Sequence, residues 1–597
     1  METVSEYIFS RLAEAGVETV FMVSGGGGMF LIDALGRHPS MRHVCNHHEQ
    51  AAVMAAEGLQ RTSGGIGVAL VTTGPAGTNA ITGVLCAWND SIPLLVLSGQ
   101  ANSKTLIRDT GLRQRGVHEA DIVKMVSPVT KYAVTVTDPA TIAYHLDKAL
   151  YLATHGRPGP VWLDIPIDVQ SAVMGGARQT GTGVEAETST PPVVEQTIDA
   201  VSGEMQRAER PVVLLGNGVR LAHAEDLFFQ FVERSRIPVV TTKNAFDIIS
   251  FDHPLLVGYI GTYGQRRANF AVQNADLVIV LGSRLSFPTV GYATSQFARA
   301  ARKIVVDIDT AQLTHMTIDA DMKIHADCRT FLQMMNRRPA VSPACWATWR
   351  ERCRSWRDRY PLVSERQRAP DGPVNSYYFF EALSEEMTPA DALVCDQGAA
   401  FYSFTAAFKN QKGQRAFTNG GFSPMGYGIA AAIGACFSKN VDTVVCVHGD
   451  GGLQMNLGEL QTIAHHALPL KLFVFNNNGY LSIKHTQNTY FDGRLVGADP
   501  ESGVSCPSAV RLGEAHHMAT VVIENNGDVR EGIRRAMRRP GPVMVEVMLD
   551  PLQPFEPRVT SHKRTDGTMV TDPLEEMFPK LPVDILREEM LIPLAEP

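Results

Sequence analysis

The chain has 597 residues, 44% hydrophobic and 19% charged, the balance of an ordinary globular protein too long for a single core. A formal net charge of −8 and a pI near 6.1 argue against a nucleic-acid binder. No apolar stretch reaches the roughly 18 residues that a membrane span needs, and nine Cys without a C-x-x-C pair signal neither a zinc site nor a disulfide framework.

The opening "METVSEYIFSRLAEAGVETVF" carries early acids and no unbroken apolar core, so it does not read as a signal peptide. Reduced cysteines then point to the cytoplasm. From here the chain repeats strand, glycine loop, helix, strand. "VETVFMV" leads into "SGGGG" and "MFLIDALG"; "GVALVTT" leads into "GPAGTNA", a helix through "AITGVLCAWN" and the strand "IPLLVLSG". This grammar predicts parallel sheets covered by helices. A Gly-, Thr- and Pro-rich stretch at 174–196 reads as an exposed linker. A second unit opens with "PVVLLGNGVR" and continues through "ADLVIVLGSR" and "KIVVDIDT". A second break falls at 337–373, a charged helix flanked by Pro. A third unit runs from "VNSYYFFEALSEEM" to "PVMVEVMLD". The predicted fold is α/β: three doubly wound parallel-sheet domains over residues 1–175, 190–340 and 370–550, then a Pro-rich, irregular tail over 551–597.

The third unit carries the sharpest chemistry. "TVVCV" is a buried strand that ends in "HGDGG"; "LGELQTIAHHA" is helical; "LKLFVF" is a second buried strand that ends in "NNNGY". A right-handed βαβ unit puts Asp450 and Asn477 at one carboxyl-terminal edge, where open α/β sheets bind ligands. Their hard oxygens suit Mg²⁺, which takes further ligands from phosphates. Gly449, Gly451 and Gly452 let backbone N–H groups approach an anion. No G-K-[ST] follows, which disfavours an NTPase. A D-G turn can also be a plain hairpin, but a helix rather than a strand follows this one.

GDG, a helix and strand, then NN resembles the fingerprint of the thiamine-diphosphate (ThDP) enzymes of the acetohydroxyacid synthase, pyruvate oxidase and decarboxylase superfamily, and the likeness covers nearly the whole chain. The resemblance implies that Asp450, Asn477 and the backbone oxygen of Gly479 hold Mg²⁺, with Tyr480 beside them. It implies that Gln397 and Gly398 touch the diphosphate. Ser423 and Met425, in "GGFSPMGYGIAAAIGA", would lie under the bent cofactor with Met425 as its wedge, although Met is also a common core filler. "CNHHEQAAVMAAEGLQ" matches the family's H-E-Q-A-A segment and makes Glu49 the carboxylate beside the aminopyrimidine. A glutamate at a helix N-terminus is also stabilised there without any function. Pro75 and Asn79 belong to "GPAGTNAITG", which resembles the pyrimidine-side loop.

The family decarboxylates 2-keto acids. "VWLDIPIDVQ", "DSIPLLVLSGQ" and "HEADIV" resemble its acetohydroxyacid synthase branch, which joins the acyl unit to a carbonyl acceptor. That branch has Phe-Gln where this chain has Val117–His118, so His118 is a candidate for proton transfer at the acceptor oxygen, or for a hydrogen bond alone. Val23 stands for a tyrosine and Gly27–Gly28 for larger apolar residues, which leaves room at the reacting centre if the backbone stays put; glycines also simply serve turns. The run after Asn478 and the tail resemble carboligases that act on nucleotide-linked keto sugars, and Arg558, Lys563 and Arg564 could meet a diphosphate or form a solvated basic patch. The alternatives are an acetolactate synthase proper and a non-ligating decarboxylase or oxidase.

In the second unit, Gly216, Gly218, Arg220, Gly261, Gly264, Gly282, Arg284, Asp307 and Asp309 resemble the synthases' FAD site. Ser286–Phe287–Pro288 departs from the synthases' D-D-R. Such glycine loops can also bind ADP or nothing. The family likeness also implies a homodimer or a dimer of dimers, with Glu49 of one chain serving the ThDP of the other.

Overall fold

The computed structural model describes residues 2–108, 110–174, 192–339, 341–563 and 566–595. Most of the expected linker at 174–196, and Arg564, lie outside the described residues.

Three six-stranded sheets form, and every strand pair within them is parallel. The first holds β1 (Thr19–Met22), β2 (Arg42–Cys45), β3 (Gly67–Val71), β4 (Leu94–Gln100), β5 (Tyr132–Thr135) and β6 (Pro160–Pro166), in the order β2-β1-β3-β4-β6-β5. The second holds β7 (Pro211–Leu215), β8 (Val239–Thr241), β9 (Leu256–Tyr259), β10 (Leu277–Leu281), β11 (Arg302–Asp307) and β12 (Met322–His325), in the order β12-β11-β10-β7-β8-β9. The third holds β13 (Ala392–Cys395), β14 (Ala416–Phe417), β15 (Val444–Gly449), β16 (Leu470–Asn476), β17 (Ala519–Ile523) and β18 (Val543–Met548), in the order β14-β13-β15-β16-β18-β17. The first and third sheets therefore share one strand permutation. The central sheet has another, the 3-2-1-4-5-6 order of dinucleotide-binding folds. β-branched and leucine-rich runs such as "PVVLL" and "LVIVL" are buried throughout, as strands covered on both faces must be.

The first and third domains meet through two helices, Glu49–Ser63 and Tyr427–Ala435. Both are rich in Ala and Gly, so their backbones approach closely: a Cβ on Gly58 would overlap the Ala431 carbonyl, and one on Gly434 the Ala55 carbonyl. Buried polar groups fix the register. Tyr427 Oη donates to Glu57 at 2.8 Å, and Arg61 pairs with Glu57 at 2.8 Å and Asp90 at 2.6 Å. Charges this deep are tolerated because each finds a partner.

Two segments differ from the sequence expectation. The charged helix at the second break, Ala347–Arg359, buries Trp349, Cys353 and Trp356 in the central core and is part of that packing. The tail is not simply irregular: Arg558–Val559 pairs with Met577–Phe578, Ser561–Lys563 pairs with Met569–Thr571, and Val583–Glu589 is a helix. Its anchors are polar. Asn269 donates to the Leu574 carbonyl at 3.0 Å, and Arg299 pairs with Glu575 at 2.7 Å. Strands of two or three residues leave no period to read, which is why the sequence hides them.

No described helix is long and apolar enough to cross a membrane.

Candidate functional site

β15 and β16 run parallel in the register His448↔Val474 and Gly449↔Phe475, so the turns after them lie side by side at the carboxyl edge. Asp450 and Asn477 are both 4% exposed. The Asp450 carboxylate accepts from Gly451 N at 2.8 Å and Gly479 N at 3.0 Å. Burial nevertheless pushes its pKa up to about 6, a penalty that an adjacent dication would relieve. Asn477 Oδ1 is buried with no hydrogen-bond partner. A buried amide oxygen left unpaired is costly, and a metal ion would satisfy it. Gly479 has φ +113°, and a Cβ there would overlap the Ala498 carbonyl, so only glycine turns this corner. Lys484 Nζ donates to the carbonyls of Asn477 and Asn478, each at 3.0 Å, and locks the loop. A hard-oxygen set with an unsatisfied member fits Mg²⁺.

Around this seat the structure gathers the other expected residues. Gln397 and Gly398 follow β13, next to β15; Gly398, at φ +74°, opens the helix Ala399–Ala407. The first N–H groups of that helix point out of its N-terminus, where an anion is stabilised. A Cβ on Gly398 or Gly449 would meet nothing within 4 Å, whereas one on Gly451 would strike the Tyr480 ring and one on Gly452 would strike Asp396. Gln397 Nε2 donates to Thr418 Oγ1 at 3.1 Å; Ser423, at φ +60°, donates to the Asn419 carbonyl at 2.9 Å. Met425 is 40% exposed in the single chain and is not a core filler. His448, missed in the sequence reading, lies 3.3 Å from buried Asp396 and braces the floor of the seat.

The first domain gathers a second cluster. Glu49 opens its helix, and Asn79 Nδ2 donates to its carboxylate at 3.0 Å. Pro75 is the first residue of the helix that carries Asn79. Gly74, at φ +64°, lies so close to the His118 backbone carbonyl that a Cβ would overlap it. His118 is itself exposed with φ +57°. Glu49, Pro75 and Asn79 thus stand together, with the His118 backbone against the turn that precedes Pro75. Among the described residues no hydrogen bond joins Glu49 to Asp450 or Asn477. Sequence reasoning also missed Glu459. It is 1% exposed and accepts from Asn46 Nδ2 at 2.9 Å, His47 N at 2.8 Å and His48 N at 3.1 Å. A third-domain carboxylate therefore fixes the turn that ends at Glu49.

The glycine loop after β1 only half meets its expectation. A Cβ on Gly27 would overlap Thr73 Oγ1, so that glycine serves packing and leaves no room. A Cβ on Gly28 would have Ile32 at 3.8 Å and the Val71 carbonyl at 3.9 Å, ordinary contacts, so a small side chain would fit at this buried position without a clash.

The central domain has a cleft, about 960 Å³ counted to its open mouth, lined by Gly218, Gly282, Arg284, Asp307 and Lys243. It lies at the carboxyl edge of the sheet, over the turns that follow the paired strands β7 and β10, and residues of the first domain close its far side. Arg284 reaches across to the Asn89 carbonyl at 3.1 Å. Not every expected residue faces it. Arg220 pairs with Asp247 at 2.8 Å, and Gly264 packs on Gly261. Asp309 caps the helix Thr310–Thr314 and pairs with Arg157 at 2.7 Å. Gly216 and Gly218 both press against the Gly282 turn, so their lack of side chains is already required by packing.

Comparison with known proteins agrees with this geometry. Residues 2–125 match the thiamine pyrophosphate enzyme N-terminal TPP binding domain, residues 198–335 the central domain, and residues 396–547 the C-terminal TPP binding domain. The acetolactate synthase isozyme 1 large subunit of Escherichia coli is 30% identical over 93% of this chain and 96% of its own length. The acetolactate synthase large subunit of Lactococcus lactis is 29% identical over 96% and 97%. The probable acetolactate synthase large subunit of Methanocaldococcus jannaschii is 30% identical over 92% of each chain. With the seat, the three domains and these full-length likenesses together, the chain belongs to the acetolactate-synthase-like family of thiamine-diphosphate-dependent enzymes.

Proposed function

We propose that the protein decarboxylates a 2-keto acid, with pyruvate as donor, and transfers the acyl unit to a carbonyl acceptor larger than pyruvate, of which a keto sugar on a nucleotide is the favoured class. The observation that carries the ThDP seat is the buried, unpaired Asn477 Oδ1 beside Asp450. Mg²⁺ would be held by Asp450, Asn477 and the Gly479 backbone, and the diphosphate by the helix N-terminus after Gly398. ThDP, when bound, supplies the carbon that takes up the electron pair released with CO₂.

The chain's residues do the rest. Glu49, held by Asn79 and by the turn that Glu459 fixes, would exchange a proton with the aminopyrimidine of the bound cofactor. Met425, 40% exposed at the seat, would support the cofactor from below. The C1–C2 bond of the keto acid breaks, CO₂ leaves, and the retained electron pair forms a bond to the acceptor carbonyl carbon. The acceptor oxygen then takes a proton, for which His118 is the donor, and a 2-hydroxy ketone results. The missing side chain at Gly28, where a Cβ would fit without a clash, supports a bulky acceptor.

The 3-2-1-4-5-6 sheet with a cleft at its switch point supports FAD in the central domain, held by Gly218, Gly282, Arg284 and Asp307. A homodimer or a dimer of dimers is supported by exposed apolar residues on both clusters. Val117 is 81% exposed beside His118, and Phe422 43% exposed beside Met425. Nine unpaired cysteines support a cytoplasmic setting. The second reading, acetolactate from two pyruvates, is favoured by the acetolactate synthases among the relatives. Calorimetric titration with ThDP, with and without Mg²⁺, tests the seat: tight binding only with Mg²⁺ is expected, and equal binding without it contradicts the metal assignment.

A further inference from the structure

A second large cavity, about 1380 Å³ counted to its open mouth, lies where the central domain, the third domain and the tail meet. Gln397 and Ser423, two of the residues expected at the cofactor, line it, so it borders the cofactor seat. Its chemistry is one-sided. Lys243, His485 and Arg558 line it, and no carboxylate does among the described residues. His485 is occupied, with Nε2 2.7 Å from the Gln553 carbonyl. Arg558 and Lys243 are not. Arg558 makes no ion pair with a described residue; its Nε is buried without a partner, and its guanidinium rests 5.9 Å from the Phe578 ring centroid. Lys243 Nζ lies 4.4 Å over the Phe401 ring and has no hydrogen bond among the described residues. Arg558 has no counter-charge among the described residues, and Lys243 has only Asp90, which is already paired with Arg61, so the cavity suits an anion.

The rest of the wall is aromatic. Tyr263 and Tyr402 stack at 4.2 Å, and Phe555 packs against Tyr402 at 4.6 Å. At the mouth, Tyr292 is 64% exposed and stacks on Phe287, 47% exposed, at 5.4 Å and 9°. An exposed, pre-stacked aromatic pair is a platform for a flat ring. It stands in the segment Phe287–Tyr292, directly after the Ser286 departure from the synthase pattern.

We propose that this cavity seats a nucleoside diphosphate, the handle of the acceptor, with Arg558 meeting the phosphates, Lys243 adding its charge from the wall that the cavity shares with the central cleft, and the Phe287–Tyr292 pair meeting the base. This rests on the carboligase reading above. It makes the tail part of the acceptor site and Arg558 a specificity-determining residue.

The test uses the full-length enzyme saturated with ThDP, Mg²⁺ and FAD, so that neither the seat nor the central cleft is open to the probe. Uridine diphosphate, cytidine diphosphate, the parent nucleosides and inorganic pyrophosphate are titrated by calorimetry into wild type, Arg558→Gln and Tyr292→Ala. At least one nucleoside diphosphate should bind more tightly than its nucleoside and than pyrophosphate. Arg558→Gln should weaken it about tenfold or more, the worth of a charged hydrogen bond. Tyr292→Ala, on the surface and without cost to the fold, should weaken it about threefold to tenfold. Absence of nucleoside diphosphate binding, unchanged affinity in Arg558→Gln with an unchanged melting temperature, or pyrophosphate binding as tightly as the nucleotide each overturns the proposal. Pyruvate consumption by wild type is followed alongside. Consumption without nucleotide binding sinks only the cavity proposal; no consumption at all sinks the carboligase reading itself.

Discussion

The ThDP seat of the third domain and the cleft of the central domain are both built from glycine turns at the carboxyl edge of a parallel sheet, yet their glycines mean different things. At the seat, Gly451, Gly452 and Gly479 are required by packing, but a side chain on Gly398 or Gly449 would meet nothing, and a buried amide oxygen of the same seat lacks a partner. In the cleft, Gly216 and Gly218 are pressed against Gly282, and two of the expected acidic and basic residues, Arg220 and Asp309, are already paired. A glycine motif announces a ligand where the space it leaves is empty. Where a neighbouring turn fills that space, the motif announces a fold. What supports a ligand in the cleft is the sheet order and the cleft itself.

The comparison can be broken most severely at the seat. Asp450→Ala removes the only formal charge from the proposed metal shell. Calorimetry should show ThDP affinity in Mg²⁺ falling by more than the ~10–100-fold that loss of an outer-shell partner costs, with the melting temperature of the cofactor-free protein unchanged. Next, Glu49→Gln keeps shape and cofactor contact but not the proton. Turnover and exchange of the ThDP C2 proton, followed by NMR, should fall together by about 10²–10⁴, while ThDP still binds. Exchange at the wild-type rate would remove Glu49 from its role. Glu459→Gln should lower both quantities by about tenfold, the worth of a charged hydrogen bond, through the loosened 46–48 turn. A drop in melting temperature without slower exchange would make Glu459 merely structural.

Smaller changes sharpen the contrast between the two glycine sets. Gly218→Ala should destabilise the cofactor-free protein by about 1–3 kcal/mol, because its Cβ meets the Gly282 backbone. Gly449→Ala, in extended backbone with open space, should stay within about 0.5 kcal/mol and weaken ThDP instead. Thermal melts with and without ThDP separate the two. The subtlest effect is on pH. Burial lowers the Lys243 ammonium to about 8, with Asp90 opposing and Arg284 adding to the shift. Below that value the charge is present; as pH rises through it the charge is lost. Nucleoside diphosphate affinity should therefore decline between pH 7 and 9, and Lys243→Arg should flatten the decline.

The seat was legible because Asp450 and Asn477 are separated by one βαβ unit, whose handedness fixes their side. The sheet classes were legible for the same local reason. Glu459 was not: its partner Asn46 is 413 residues away, and nothing local marks which acid on a helix turns inward. Nor did the sequence distinguish Gly27 from Gly28, because the neighbour that fills one space is Thr73, on the turn after β3. The tail's fastening depends on the Asn269 and Asn274 side chains reaching distant carbonyls, which leaves no hydrophobic period to read.

The central claim is that an acyl unit from a 2-keto acid is joined to a carbonyl acceptor larger than pyruvate. It is tested most directly by mass spectrometry of products from [2-¹³C]pyruvate and a panel of aldehydes, ketones and keto sugar nucleotides, in wild type and Gly28→Val. The account predicts that the label appears with CO₂ release in a 2-hydroxy ketone built on a large acceptor, and that Gly28→Val cuts that product about tenfold more than pyruvate consumption. Labelled acetolactate alone, or an equal loss of both reactions in the variant, would contradict it and leave acetolactate synthesis as the activity.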